Sequence, residues 1–152
     1  SGIRIGDRRT LVHIDAMECT ITNDNTSYTW LASATIEIGG WNGLGRLRRY
    51  LAVTNGGLLN GRHIAPRAHP NDGLADLMSM DASMTLRDRI IARKRARTGA
   101  HIPHPAITVS RGETFVFACA YKGEKLVIDH HRVPTWNSIE VQVRPDYWQV
   151  IV

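Results

Sequence analysis

The sequence predicts a mainly β domain: a two-layer β-sandwich or flattened barrel with one crossing amphipathic helix. Three observations predict it. Runs rich in β-branched and aromatic residues recur along the chain. Glycine, proline, asparagine and aspartate punctuate them at short intervals. Only one stretch, Met84 to Thr98, changes to a helical period.

Thr10 to Ile21 reads as the first strand and Asn23 to Ser27 as a turn, because polar side chains there can bond the local backbone. That oxygen-rich turn lacks the Gly and terminal Glu of a calcium loop. Tyr28 to Ile38 reads as one further strand, Gly39-Gly40-Trp41-Asn42-Gly43 as a hairpin-type connection and Arg48 to Asn55 as a third strand. The basic run Arg46-Leu47-Arg48-Arg49 is most simply a solvated strand edge, since charge on an edge discourages pairing with other chains.

Asn55 to Asp76 is dense in glycine, asparagine and proline, so it is held in turns with special backbone angles. Turn-rich segments inside strand-rich domains are where binding chemistry usually sits. Leu74 to Met80 follows as a strand. In the helix, Leu86, Ile90 and Ile91 fall at i, i+4 and i+5, Thr85 and Asp88 form a capping box, and Gly99 ends it. The polar face then carries Arg87, Arg89, Arg93, Lys94, Arg95 and Arg97. Two readings stand for that face: a solvated surface, or a contact with anionic lipid. Strands are expected at Ile107–Val109, Thr114–Tyr121, Leu126–Asp129, Ser138–Val143 and Tyr147–Val152, giving about nine in all.

The chain has 152 residues and a formal net charge of +5. That length suits one domain with a single core, and the charge favours anionic partners. Two cysteines, Cys19 and Cys119, are too few for a disulfide framework and read as buried thiols. The longest apolar run falls far short of the roughly 18 residues that span a bilayer. A cytoplasmic location follows as the expectation, with peripheral attachment to a membrane through the basic helix. Nucleic acid is disfavoured, because no aromatic residue interleaves the helix charges to stack on bases. A homodimer through a free sheet edge is a further option that the sequence does not locate. Ser1-Gly2 is compatible with a cloning remnant, and the chain with an excised domain.

An ordered set of short motifs resembles the C-terminal lobe of the diacylglycerol kinase and sphingosine kinase-like bacterial lipid kinases. These are Leu51-Ala52-Val53-Thr54-Asn55-Gly56, Asn60-Gly61-Arg62, Ile64-Ala65-Pro66, Asn71-Asp72-Gly73-Leu74-Ala75-Asp76, Gly99-Ala100-His101-Ile102-Pro103-His104-Pro105 and Val143-Arg144-Pro145-Asp146-Tyr147-Trp148-Gln149-Val150. They cover roughly the last two thirds of the chain in the family's order. The resemblance implies that residues 1–152 form the acceptor-side lobe of a two-lobe enzyme that phosphorylates a lipid alcohol with ATP. It implies a structural Mg²⁺ held by the carbonyls of His69 and Leu74 and the side chain of Asp72. It places Asn55, Gly56 and Gly61 at the nucleotide side. It sets Asp129 and His131 at the acceptor hydroxyl, with His131 where the family carries a Glu base and His130 where it carries a Gly. Imidazole can serve as a general base near neutrality. On a plain strand Asp129 and His131 would share one face.

The family's Gly-Gly-Asp-Gly-Thr nucleotide loop, carried on a separate N-terminal lobe, does not occur in this chain. ATP is therefore expected only together with that lobe. Two competing readings stand: a non-catalytic lipid- or protein-binding module on the same lobe, and a basic nucleic-acid-binding barrel. His101, His104, His130 and His131 could suggest zinc, but the resemblance explains His101 and His104 as packing and capping residues.

Overall fold

The computed structural model describes residues 10–40 and 48–151. Expectations for Ser1-Gly2, Trp41-Asn42-Gly43, Arg46, Leu47 and Val152 lie outside the described residues. Among the described residues twelve strands and one helix form, against the nine strands expected; the surplus comes from short hairpins and from one strand that splits. In chain order they are β1 Leu11–Asn23, β2 Thr26–Ala32, β3 Thr35–Gly39, β4 Tyr50–Thr54, β5 Leu58–Leu59, β6 Arg62–His63, β7 Ala75–Met80, α1 Leu86–Arg95, β8 Ile107–Gly112, β9 Thr114–Ala118, β10 Leu126–Ile128, β11 His131–Val133 and β12 Ser138–Ile151.

Two antiparallel sheets stack face to face. One has the order β2-β1-β12-β9 and the other β11-β10-β3-β4-β7-β8; a two-stranded β5-β6 hairpin stands apart. The sheets do not close on each other, so the fold is the sandwich and not the barrel. Met17, Cys19 and Ile21 of β1 and Ile139, Val141 and Val143 of β12 meet Ile36, Ile38, Val53, Leu126 and Ile128 of the opposite sheet. Each large aliphatic side chain buried there contributes about 1.5–3 kcal/mol. Burial pushes the Cys19 thiol up to about 12, so it stays a neutral packing group. A second apolar cluster lies on the outer face of the larger sheet. There Tyr50, Ala52, Met78 and Met80 pack under Met84 and Ala92 of the helical segment and Leu59 and Ile64 of the turn-rich segment.

The expected strand Tyr28–Ile38 is broken at Ser33-Ala34, and its two halves belong to different sheets. The cause is Asp129. Its carboxylate accepts from the Ser33 N–H at 2.6 Å, the Ser33 hydroxyl at 3.0 Å, the Ala34 N–H at 3.0 Å and the Thr35 N–H at 2.8 Å. Those amides cannot then join a sheet ladder, and the chain crosses from one layer to the other.

The expected strands 138–143 and 147–152 are one strand, β12, paired along β1. The register slips between Ile14 and Ala16, where Pro145, Asp146 and Tyr147 oppose Asp15 alone. A bulge is one of the few places a sheet accepts proline.

The Arg48-Arg49 pair does not form a solvated edge. It leads into β4, which has neighbours on both sides. Arg49 instead reaches the buried Glu124 through two contacts of 3.0 Å, and Arg48 lies 3.6 Å above the Tyr121 ring.

The Thr85 cap accepts from the Asp88 N–H as expected. The helix faces the other way from its expected amphipathic pattern. Arg89 is buried, while Leu86, Ile90 and Ile91 are exposed. Arg89 is held by the carbonyls of Met84 at 3.1 Å, Arg48 at 2.7 Å and Asp81 at 3.0 Å, which compensates the cost of burying its charge.

The Asp129 bonds imply a stability prediction. Burial opposes ionisation of Asp129, but its hydrogen bonds from the 33–35 turn hold the carboxyl below the usual carboxylate range. A depressed folded value contributes stability above the unfolded value and loses it as pH falls through the folded value. Asp129→Ala is expected to lower stability by about 3 kcal/mol in urea unfolding at neutral pH. The deficit should shrink as pH drops below about 4.

Candidate functional site

Asn55, Asp72, Asp129 and His131, singled out from the sequence, fall on one hydrogen-bonded chain of turns. It begins at the β10–β11 connection, where Ile128 pairs with His131 and only Asp129 and His130 form the loop. Both have positive φ, 44° and 70°. That is a type I′ turn, whose second position favours glycine. Asp129 and His131 therefore do not share the face of a strand, and the Asp129 carboxylate is turned away toward Ser33. The Nδ1 of exposed His131 lies 3.0 Å from the Asp129 carbonyl oxygen. A carbonyl can only accept, so Nδ1 carries the proton in that contact, and in the neutral imidazole the lone pair is on Nε2. The His131 ring also packs 5.8 Å from Trp30.

From the 33–35 turn the chain of bonds continues. The Ala34 carbonyl accepts from the Asn55 N–H at 3.1 Å. The Asn55 side-chain Nδ2 donates to the Asp15 carbonyl at 2.5 Å. Asp15, at the β1 bulge, is 0% exposed. Its carboxylate accepts from the Gly73 N–H at 2.8 Å and the Asp146 N–H at 2.9 Å, and its own N–H donates to the Pro70 carbonyl. The loop 70–73, the Asn55 turn and the β12 bulge thus all hang on one buried aspartate.

Asp15 carries no motif and was missed in the sequence. The available signal was an acid inside the apolar run Ile14-Asp15-Ala16-Met17, since a buried charge needs built partners.

Asn55 and Gly56 lie in this chain of turns, and Asn55 is buried with its Oδ1 unpartnered. Gly61 does not belong to it. With Asn60 it makes the two-residue turn of the β5–β6 hairpin, with φ of 49° and 71°. Gly57 is the glycine that close approach demands, because a Cβ there would stand 2.1 Å from the Ala65 carbonyl.

Asp72 sits in the loop that Asp15 holds, between His69 and Leu74. One of its oxygens accepts from the Leu74 N–H at 3.1 Å. The other is ion-paired with Arg111 of β8, which also contacts Asp76 at 3.3 Å. Burial raises the Asp76 carboxyl, against the pull of Arg111. The only side chain of the implied Mg²⁺ set is therefore engaged by a guanidinium, and as arranged this donor set does not fit a divalent ion. Among the described residues no group of three or more His, Cys, Asp or Glu side chains could hold a metal.

The four histidines considered for zinc are dispersed in role. His101 is buried with Nε2 3.2 Å from the Ile64 carbonyl, and burial holds its imidazole below the usual range. His104 Nδ1 accepts from the Ala106 N–H. His130 and His131 belong to the β10–β11 turn.

A pocket of about 240 Å³ opens between α1 and the outer face of the larger sheet. Ile64, Met78, Met80 and Ala92 give it apolar walls, and Glu37 and Arg93 stand among its polar groups. The Tyr50 hydroxyl donates to Glu37 at 2.6 Å within it. No motif pointed to this pocket, because it is assembled from residues distant in sequence.

A stacked β-sandwich with turns gathered on a buried aspartate defines a class of domain rather than an activity. Residues 9–152 match the family described as the YegS C-terminal NAD kinase beta sandwich-like domain. The chain belongs to that family. No curated protein sequence matches it. Two solved structures similar to it are both candidate diacylglycerol kinases of Bacillus anthracis str. Sterne. The first is 10% identical with a TM-score of 0.47, covering 92% of this chain and 56% of that one. The second is 10% identical with a TM-score of 0.43, covering 91% and 40%. The chain thus spans about half the length of those proteins. Among the described residues no helix is long and apolar enough to cross a membrane.

The I′ turn yields a prediction. His130→Gly should raise stability by about 1 kcal/mol, because it removes a side chain from the left-handed region. A rightward shift of the urea midpoint would show it; no shift would mean the turn geometry is wrong.

Proposed function

We propose that this domain is the acceptor-side lobe of a diacylglycerol kinase-like enzyme that transfers phosphate from ATP to a lipid alcohol. The single observation that carries the reading is family membership over residues 9–152. The apolar-walled pocket beside α1 supports it. Its size suits part of one alkyl chain rather than a whole diacyl lipid.

In this reading His131 is the general base. Its Nδ1–H is held by the Asp129 carbonyl, so the Nε2 lone pair is presented for the proton of the lipid hydroxyl. Asp129 is a positioning residue that holds the turn, not a base, because its carboxylate already accepts four bonds. Nucleotide binding requires a lobe that this chain does not carry, and Asn55 and Gly56 would face it. Mg²⁺ at Asp72 would require Arg111 to swing away.

The test is transfer of labelled phosphate from ATP to a panel of diacylglycerols and long-chain bases. It uses the longest natural polypeptide that contains this domain, with magnesium present. His131→Ala should lower the rate by about 10²-fold or more. His131→Glu should restore part of it and move the pH profile toward acid, as a carboxylate base requires. Failure of the folded natural polypeptide to transfer phosphate to any acceptor would sink the kinase reading and leave a lipid-binding module.

A further inference from the structure

An exposed face of α1 runs opposite to its buried face. Arg89, Ala92 and Ala96 point into the protein. Leu86, Ile90 and Ile91 are 45%, 50% and 36% exposed. A helix that packs an arginine inward and shows three large aliphatics outward has inverted the usual arrangement. The inversion is held in place, since the Arg89 guanidinium is fastened by three carbonyls.

The exposed aliphatics are not alone on this face. Leu86 precedes Ile90 and Lys94 at four-residue steps, and Arg87 precedes Ile91 and Arg95 in the same way. Residues at such steps lie one above another. The exposed aliphatics are therefore flanked by Arg87 in the first turn and by Lys94 and Arg95 in the last. Across residues 87–97 the exposed charges are Arg87, Arg93, Lys94, Arg95 and Arg97, while the only acid, Asp88, is occupied in the Thr85 cap.

We infer that α1 is a docking surface for an anionic phospholipid bilayer. The three aliphatics enter the headgroup boundary and the cations meet lipid phosphates. Charge complementarity selects this occupant. A protein partner would not need an array of long cationic side chains beside the apolar ones, and a nucleic acid would gain nothing from Leu86, Ile90 and Ile91. Arg93 also lines the pocket beside the helix, so docking would bring the pocket to the lipid surface. The inference does not rest on the kinase reading, because binding can be measured without nucleotide or acceptor.

The experiment is sedimentation of the protein with vesicles of phosphatidylcholine alone and with vesicles of equal parts phosphatidylcholine and phosphatidylglycerol, both free of diacylglycerol. Binding is expected only to the anionic vesicles. Ile90→Gln with Ile91→Gln, and separately Lys94→Glu with Arg95→Glu, should each weaken it by about tenfold or more. Both pairs are exposed, so the unfolding midpoint should stay close to that of the parent protein. Binding left unchanged by either pair would overturn the inference. So would equal binding to both vesicle types, or no vesicle binding by the folded parent.

Discussion

The carboxylate of Asp15 is the constraint on which the rest of this end of the molecule depends. An isolated buried carboxylate is costly, and the cost falls only where donors are built around it. Here the donors are two backbone amides from segments far apart in sequence, Gly73 and Asp146. Satisfying Asp15 therefore brings together the turn-rich segment, the bulge of the last strand and the bulge of the first. Asn55 then bonds the Asp15 carbonyl with its side chain and the Ala34 carbonyl with its own amide. Ala34 in turn is held by Asp129. One line of hydrogen bonds thus links the loop bearing Asp72 to the turn bearing His131, across both sheets.

Much of the fold was legible because it rests on local rules. The alternation of Ile139, Val141 and Val143 with polar neighbours marks a strand with one wet face. Asn60-Gly61 forms the tight hairpin its dipeptide favours, and Thr85 with Asp88 caps the helix. What could not be read depends on partners distant in sequence. Nothing local marks Ser33-Ala34 as a crossing between sheets, because the agent is Asp129, 96 residues away. Arg49 looks like an edge charge until Glu124 is seen buried beside it. The helix period is correct, but its orientation is set by carbonyls that bind Arg89, so the apolar residues that suggested the buried face lie outside.

The candidate site divides in the same way. The motif residues Asn55, Asp72, Asp129 and His131 do lie on one connected framework, as an ordered set of family motifs implies. Their individual roles differ from a motif reading. Asp129 is committed to structure, Asp72 is paired with Arg111, and Gly61 belongs to a separate hairpin. His131 is left exposed, with its Nδ1 against the Asp129 carbonyl. Asp15, which carries no motif, holds the turns that lead toward that nitrogen, and the pocket under α1, on the outer face of the larger sheet, offers room for an apolar ligand. An inverted helix then adds a surface suited to lipid beside the same pocket.

Amide hydrogen exchange in Asp15→Asn tests the framework most directly. The substitution keeps the shape of the side chain but points an NH₂ group at one of two N–H donors. If Asp15 holds the turns together, the amide of Gly73 or Asp146 should exchange at least about tenfold faster, a loss of about 1.4 kcal/mol or more in local opening free energy. Amides in the paired centre of β3 and β4 should stay protected. Unchanged protection at both Gly73 and Asp146 would contradict the account, because the turns would then be held by something other than the buried carboxylate.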